Sequence, residues 1–166
     1  MLARGDALNN RRAQLAALLV PALLILGADH LTKWLVVNHL LLGQVVPDGS
    51  RIGLKHVENS GAAFGLFPGL GWFYPLVAIV VAVFIVGYGH KLAPALWQQA
   101  TLGIILGGAV SNAIDRVLQG HVTDFLYIWF RPVFNVADSA IVVGVIVAII
   151  WFHPPKKPAT KQSPDE

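Results

Sequence analysis

Four long apolar stretches limit what this chain can fold into more than any other feature. They lie within residues 13–37, 68–89, 93–114 and 136–152. A helix needs about 20 mainly apolar residues to cross the roughly 30 Å of hydrocarbon in a bilayer. The last stretch reaches that length only if its helix begins near Asn135. The pattern predicts an all-α membrane protein with four transmembrane helices.

The composition excludes a soluble globular protein. The chain is 55% hydrophobic and 13% charged, whereas soluble domains are about 25% charged. A protein of 166 residues cannot bury so much apolar surface in one core. It has no cysteine, which excludes disulfides, thiolate metal sites and a cysteine nucleophile. We therefore expect one membrane domain over residues 1–166.

The distribution of Lys and Arg predicts the orientation in the membrane. Basic residues lie in the N-terminal arm, in the 90–95 turn and in the tail 153–166. Such residues concentrate on the cytoplasmic side. Both termini are therefore expected in the cytoplasm, with the segments 38–66 and 115–135 outside. The net charge of +3 then reflects topology, and we expect no nucleic acid partner.

The two outer segments have different patterns. Residues 44–58 read as a small hairpin around the Pro-Asp-Gly-Ser turn at 47–50. The second segment is aromatic and is expected to lie along the membrane interface. The proline-rich tail 153–166 is expected to be flexible.

Ionisable residues within spans are costly and usually functional. Here they are Asp29, Lys33, Asp115 and Asp138, and the predicted topology brings all four to one depth at the outer end of the bundle. Structural interpretations exist for each. Asp29 and Lys33 suit an i,i+4 ion pair at an exposed helix end. Asp138 suits a first helical turn, and Asp115 the end of a span.

The functional interpretation pairs Asp115 with Asp138. Asp115 shares a helix face with a ridge of small residues at Gly103, Gly107 and Ser111, which suits close helix packing. Asn112 and Asn135 each lie three residues before an aspartate. Two carboxyl groups in a partly desolvated site share a proton, so that one activates water while the other polarises a carbonyl.

Three alternatives remain at this point. A small ion-coupled transporter would place ionisable groups at several depths, whereas these lie at one. A non-enzymatic four-helix assembly factor explains packing but not two Asn/Asp pairs. A metal site built from Asp29, His30, Asp115 and Asp138 is the chemical rival within the enzyme class.

Five sequence motifs in order resemble those of the lipoprotein signal peptidase family, the bacterial signal peptidase II. They are Asp-His-Leu-Thr-Lys at 29–33, Asn-Ser-Gly-Ala-Ala-Phe at 59–64, the run 107–116 ending in Asn-Ala-Ile-Asp-Arg, Val-Thr-Asp-Phe at 122–125, and Phe-Asn-Val-Ala-Asp-Ser at 134–139. Together they extend over about two thirds of the chain. Ser111 departs from the family pattern, which usually has Gly there.

The resemblance implies an aspartic endopeptidase of the bacterial inner membrane, with its site near the outer face. It would cut prolipoproteins before the diacylglyceryl-modified cysteine. Carried over by motif, Asp115 and Asp138 are the catalytic dyad. The expected substrate-binding or supporting residues are Asp29, Lys33, Asn59, Asn112, Arg116, Asn135 and Ala137, and the expected structural residues are Asp124, Gly107 and Gly108. We expect no metal or cofactor, a monomer, and as partners prolipoprotein substrates and membrane lipids.

Overall fold

The computed structural model describes residues 2–61 and 73–152, and its side chains from residue 9 onward apart from residue 74. Within these residues the elements are α1 (Leu2–His39), β1 (Val45–Val46), β2 (Ile52–Asn59), α2 (Phe73–Leu92), α3 (Leu96–Gln119), β3 (Val122–Ile128) and α4 (Val136–Trp151). Ala62 to Phe64, the start of the second predicted span and the predicted flexible tail lie outside the described residues.

Three of the described helices, α1, α2 and α3, are long and apolar enough to cross a membrane. The fourth, α4, is apolar but has 16 residues, or about 24 Å of helix. Helix α3 continues to Gln119, five residues past the predicted end of its span. It ends at Gly120, whose left-handed backbone (φ +77°) lets its N–H donate to the Arg116 carbonyl. Asp115 therefore lies inside the helix and not at its end.

Helix α3 is the centre of the bundle and packs against each of the other three helices. Its predicted ridge of small residues faces α1: a Cβ atom on Gly103 would collide with the Leu18 carbonyl, and one on Gly107 with the Ala22 carbonyl. Gly108 faces α4 in the same way, against the Ala137 carbonyl. Because the helix backbones approach so closely, α1, α3 and α4 can share short polar contacts at one end.

The three strands form an antiparallel sheet in the order β1-β2-β3. The predicted hairpin is confirmed, with Val45 opposite Lys55 and Val46 opposite Leu54. The third strand was not predicted, since the aromatic second segment was expected to lie along the membrane interface. Residues 122–125 are all buried, so the alternation of polar and apolar residues that marks a half-buried strand is missing there.

The sheet lies where α3 ends and α4 begins. Strand β3 follows the end of α3 directly, and the chain then returns to pair Phe134 with Leu126 before α4 starts. In the sheet, Val57 lies opposite Asp124 and Asn59 opposite Val122. This connection brings Asp124, on the strand, beside Asn135 at the start of α4.

Candidate active site

A buried ionic cluster holds α1 to α3. The Lys33 ammonium lies 2.5 Å from an Asp29 carboxylate oxygen and 2.6 Å from one of Asp115. It also donates a hydrogen bond of 3.0 Å to the Asn112 Oδ1. All four side chains are buried. The predicted i,i+4 pair of Asp29 and Lys33 therefore exists, but in the interior and not at an exposed helix end.

Asp29 also ties α1 to the beginning of α4. Its Oδ1 accepts a 2.9 Å hydrogen bond from the Ala137 N–H, one of the amides that a helix N-terminus leaves without a partner in the helix. Its Oδ2 accepts a 2.7 Å hydrogen bond from the Ser111 hydroxyl. The serine that departs from the family pattern thus adds a donor to a fully buried carboxylate.

The Asn112 side chain links this cluster to α4. Its Oδ1 accepts from Lys33 and, at 3.1 Å, from Asn135 Nδ2. Its Nδ2 donates to Asp138 Oδ1 at 2.7 Å. Because Lys33 can only donate, the amide has one orientation, with its oxygen toward Lys33 and its nitrogen toward Asp138.

Asn135 caps α4 and contacts a second aspartate. Its Oδ1 accepts from the Asp138 N–H at 2.8 Å, and the Asp138 carboxylate accepts from the Asn135 N–H in return at 3.3 Å, which is a reciprocal capping box. The Asn135 Nδ2 donates to Asp124 Oδ1 at 2.8 Å. The other oxygen of Asp124 accepts from Asn59 Nδ2 at 2.9 Å.

Asp124 and Asp138 line one cavity of about 790 Å³ between α2, α3, α4 and the sheet. Its polar lining consists of Asn59, Asn112, Arg116, Asp124 and Asp138. Its apolar walls include Val81 of α2, Ile105 of α3 and Ile141 of α4. A wide apolar cavity with a few convergent polar groups is the usual form of a binding or catalytic site.

Asp115 opens on a different cavity, of about 420 Å³, which it shares with Lys33, His30 and His121. The His30 Nδ1 lies 3.6 Å from the Asp115 carboxylate. Strand β3 lines both cavities, because successive side chains of a strand point to opposite faces. Asp124 accordingly lines the first cavity and Thr123 the second.

The structure therefore separates the two aspartates that the sequence analysis paired. Lys33 and Asn112 lie between them in a chain of contacts from Asp115 to Asp138. Asn112 and Asp115 are three residues apart on α3, so their directions differ by about 60° around the helix axis. That difference turns Asn112 toward α4 and Asp115 toward α1.

Asp124, predicted to be a structural residue of the outer loop, lines the same cavity as Asp138. Burial raises the pKa of Asp124 to about 6; the Asn59 hydrogen bond opposes this shift and the nearby charge of Asp138 adds to it. In the sequence, the one signal that pointed to Asp124 was its position as an acidic residue within the motif Val122 to Phe125. A carboxyl group in a cavity whose pKa is raised by burial is a candidate for a functional site.

The other predicted site residues surround this arrangement. Arg116 lines the larger cavity and its Nη1 lies 3.4 Å from the Asn112 carbonyl. Ala137 contributes through its backbone N–H, and Gly107 and Gly108 through close helix packing. Among the described residues, no group of three or more His, Asp or Glu side chains is arranged to hold a metal ion.

A bundle of membrane-length apolar helices with carboxylates at one end defines a multi-pass membrane protein with a polar site. Residues 21–153 match the family model described as signal peptidase (SPase) II. The chain belongs to the signal peptidase II family, as the sequence motifs had indicated.

Individual relatives agree with this assignment. The chain is 41% identical over 135 residues to the lipoprotein signal peptidase of Bacillus velezensis (strain FZB42), which covers 78% of this chain and 88% of that protein. Two solved structures of a bacterial membrane enzyme, determined by the in meso method at 2.3 and 1.9 Å, are also similar. Each is 30% identical and covers 79% of this chain, with TM-scores of 0.73 and 0.71 over 84% and 88% of those chains.

Proposed function

We propose that this protein is an aspartic endopeptidase that removes signal peptides from prolipoproteins, cutting before the diacylglyceryl-modified cysteine, with Asp124 and Asp138 as its catalytic pair. Its family makes it a protease that cleaves signal peptides. The observation that carries the residue assignment is that these two carboxyl groups line the same cavity. Asn135 contacts both residues: its side chain donates to the Asp124 carboxylate, and its backbone N–H donates to that of Asp138.

The chemistry requires one ionised and one protonated carboxyl group. The ionised group removes a proton from a bound water while the water oxygen attacks the scissile carbonyl carbon. The protonated group donates a hydrogen bond to the carbonyl oxygen, where negative charge develops. The carboxyl group that accepted the water proton then gives it to the leaving amine nitrogen as the C–N bond breaks. Two carboxyl groups that share one proton supply both roles without a metal or a nucleophilic side chain.

The surrounding amides hold the pair in position. Asn59 and Asn135 donate to the two oxygens of Asp124, and Asn112 donates to Asp138. Lys33 acts through Asn112, since it fixes which end of that amide faces Asp138. We assign Lys33 and the three asparagines as positioning residues.

Asp115 has a different role in this proposal from the one its motif predicted. It is the buried counterion of Lys33, at 2.6 Å. It also lines a different cavity from the one that Asp124 and Asp138 share. Asp115 therefore supports the site by keeping Lys33 in place.

The proposed location follows from the distribution of basic residues. With both termini in the cytoplasm, the end of the bundle that holds Asp124 and Asp138 lies at the outer face of the inner membrane. A lipid-anchored precursor presents its cleavage site at that depth, so the peptide need not leave the membrane surface. We expect the enzyme to work as a monomer surrounded by membrane lipids.

The test is cleavage of a diacylglyceryl-modified prolipoprotein by detergent-purified protein in the presence of EDTA. Asp124→Asn and Asp138→Asn are each expected to lower the cleavage rate by about 10²–10⁴-fold, the usual contribution of general acid–base catalysis. Asp115→Asn is expected to retain measurable cleavage while lowering the free energy of unfolding by about 3 kcal/mol, because it breaks a buried ion pair.

The exposed loop residue Asp48 supplies the matched control. Asp48→Asn should leave both rate and stability unchanged. Normal cleavage by folded Asp124→Asn together with none by folded Asp115→Asn would reject our assignment and restore the pair predicted from the sequence.

A further inference from the structure

One end of the sheet, at the pair Ile52 and Ile128, carries a group of exposed side chains. Ile52 lies opposite Ile128 there, and Trp129 follows with its N–H donating to the Arg51 carbonyl at 2.9 Å. We call this group the sheet tip; it consists of Arg51, Ile52, Trp129, Phe130 and Arg131. Its three apolar members are 59% to 68% exposed.

Each arginine of the sheet tip lies over an aromatic ring. The Arg51 guanidinium is 5.3 Å from the centre of the Trp129 ring, and that of Arg131 is 5.5 Å from the Phe130 ring. The two rings meet edge to face at 5.8 Å. A guanidinium stacked on a ring keeps its N–H edge free, and that edge matches phosphate oxygens in bidentate geometry.

We propose that the sheet tip docks on the membrane surface and binds the phosphate of an anionic phospholipid. Exposed Trp and Phe are typical of the membrane–water interface. Two arginines beside them complement the negative charge of anionic headgroups. The bilayer around the apolar helices is the surface within reach. Strand β2 has eight residues and spans about 26 Å, so docking at the tip would hold the sheet along the membrane beside the cavity.

The absence of cysteine from the sequence allows a direct test. Asp48→Cys provides a single thiol in the exposed turn that precedes the sheet tip. A polarity-sensitive fluorophore on this thiol is followed in full-length protein reconstituted into phosphatidylcholine vesicles, with and without phosphatidylglycerol. Lipids that carry a quencher in the headgroup region report contact with the surface. We expect phosphatidylglycerol to increase the quenching.

The charge variant is Arg51→Gln with Arg131→Gln. Each basic residue near an anionic surface changes the binding equilibrium about fivefold, so the ratio of docked to undocked tip should fall about thirtyfold. The matched control, Arg11→Gln with Arg12→Gln, removes the same charge from the N-terminal part of α1, at the other end of that helix from the sheet. It should leave the quenching at the tip unchanged. Thermal unfolding of both double variants should match the wild type, because all four arginines are exposed.

Two results would overturn the proposal. If the label stays in water in the phosphatidylglycerol vesicles, the sheet tip projects into solution. If quenching is strong but equal with and without phosphatidylglycerol, or survives in Arg51→Gln/Arg131→Gln, the tip has apolar contact only and no phosphate site. Neither result bears on Asp124 and Asp138, whose cleavage assay is independent.

Discussion

At the scale of single residues, three asparagines hold the carboxyl groups of the site. Asn59, Asn112 and Asn135 donate to Asp124 or Asp138, and they come from a strand, a helix and a helix cap. An amide can donate to a carboxylate while it accepts from a neighbour, as Asn112 does from Lys33. The site therefore keeps Asp115 and Lys33 as an ion pair, while amide groups hold Asp124 and Asp138.

The raised pKa of Asp124 predicts how stability depends on pH. Its folded pKa is about 6 against an ordinary value of 3.8. Between these values the folded protein holds a proton that the unfolded chain has lost, so the contribution is present below about pH 4 and is lost as the pH rises through 6. The difference corresponds to about 3 kcal/mol. The free energy of unfolding, measured with denaturant in detergent from pH 4 to 7, should fall less steeply in Asp124→Asn than in wild type.

Asp48→Asn is the comparison for this pH series, because Asp48 is exposed. It should keep the wild-type slope. An identical slope in wild type and Asp124→Asn would mean that Asp124 ionises as easily in the folded protein as in the unfolded chain.

At the scale of the elements, the approach of α1 to α3 decides whether the polar cluster can form. The carbonyls of Leu18 and Ala22 lie against Gly103 and Gly107, where a Cβ atom would not fit. One and two turns further along α3, Ser111 and Asp115 reach Asp29 and Lys33. Short polar contacts therefore follow from the small residues that precede them.

Gly107→Val is expected to push α1 away from α3. The added side chain would lie within 3 Å of the Ala22 Cα and carbonyl carbon, and overpacking of this kind costs about 1–3 kcal/mol. The proportional loss in the rate of prolipoprotein cleavage should exceed the proportional loss in the free energy of unfolding, because Lys33 moves with α1. Both are measured on the purified variant.

The control for helix propensity is Gly87→Val in α2. A Cβ atom there meets no atom of the described residues within 4 Å. This variant should lose little stability and no activity. Equal losses in the two variants would show that the β-branched residue, and not the helix contact, is responsible.

At the scale of the whole molecule, the exposed apolar surface requires a membrane around it. Leu24 is 67% exposed and Ile149 76%, and such side chains on helices of this length are stable only in lipid. Among the described residues, the cluster of buried apolar side chains is small and centred on Leu18, Ile85 and Leu106. Much of the specificity of the fold therefore lies in its polar contacts and close helix packing.

The proposed orientation predicts which side of the membrane each connection faces. In the cysteine-free chain, Asp48→Cys should react with a membrane-impermeant maleimide in intact spheroplasts. Lys91→Cys, in the last turn of α2, should react only after the membrane is opened. Both positions are exposed, so access and not burial decides the result. The reverse pattern would place the site on the cytoplasmic side.

The sequence by itself determined the class of protein and the number of helices. The length of the apolar segments, the scarcity of charged residues and the spacing of small residues are local properties of the sequence. Each has one main structural interpretation. They predicted the helices that contain the spans, the hairpin at 44–58 and the ridge on α3. The motifs also predicted the family correctly, because their order along the chain can be recognised without knowledge of the fold.

Only the tertiary structure decided which aspartates line the same cavity. Asp115 and Asp138 resemble each other in sequence, each with an asparagine three residues before it. Their partners are nevertheless set by helix rotation: α3 turns Asp115 toward Lys33 on α1 and Asn112 toward Asp138 on α4. Asp124 reaches the cavity because β3 pairs with β2. That pairing brings Asp124 to Asn59, which lies 65 residues earlier in the chain. Contacts between distant parts of the chain depend on the rotation of helices and the register of strands, and neither is encoded in a local pattern.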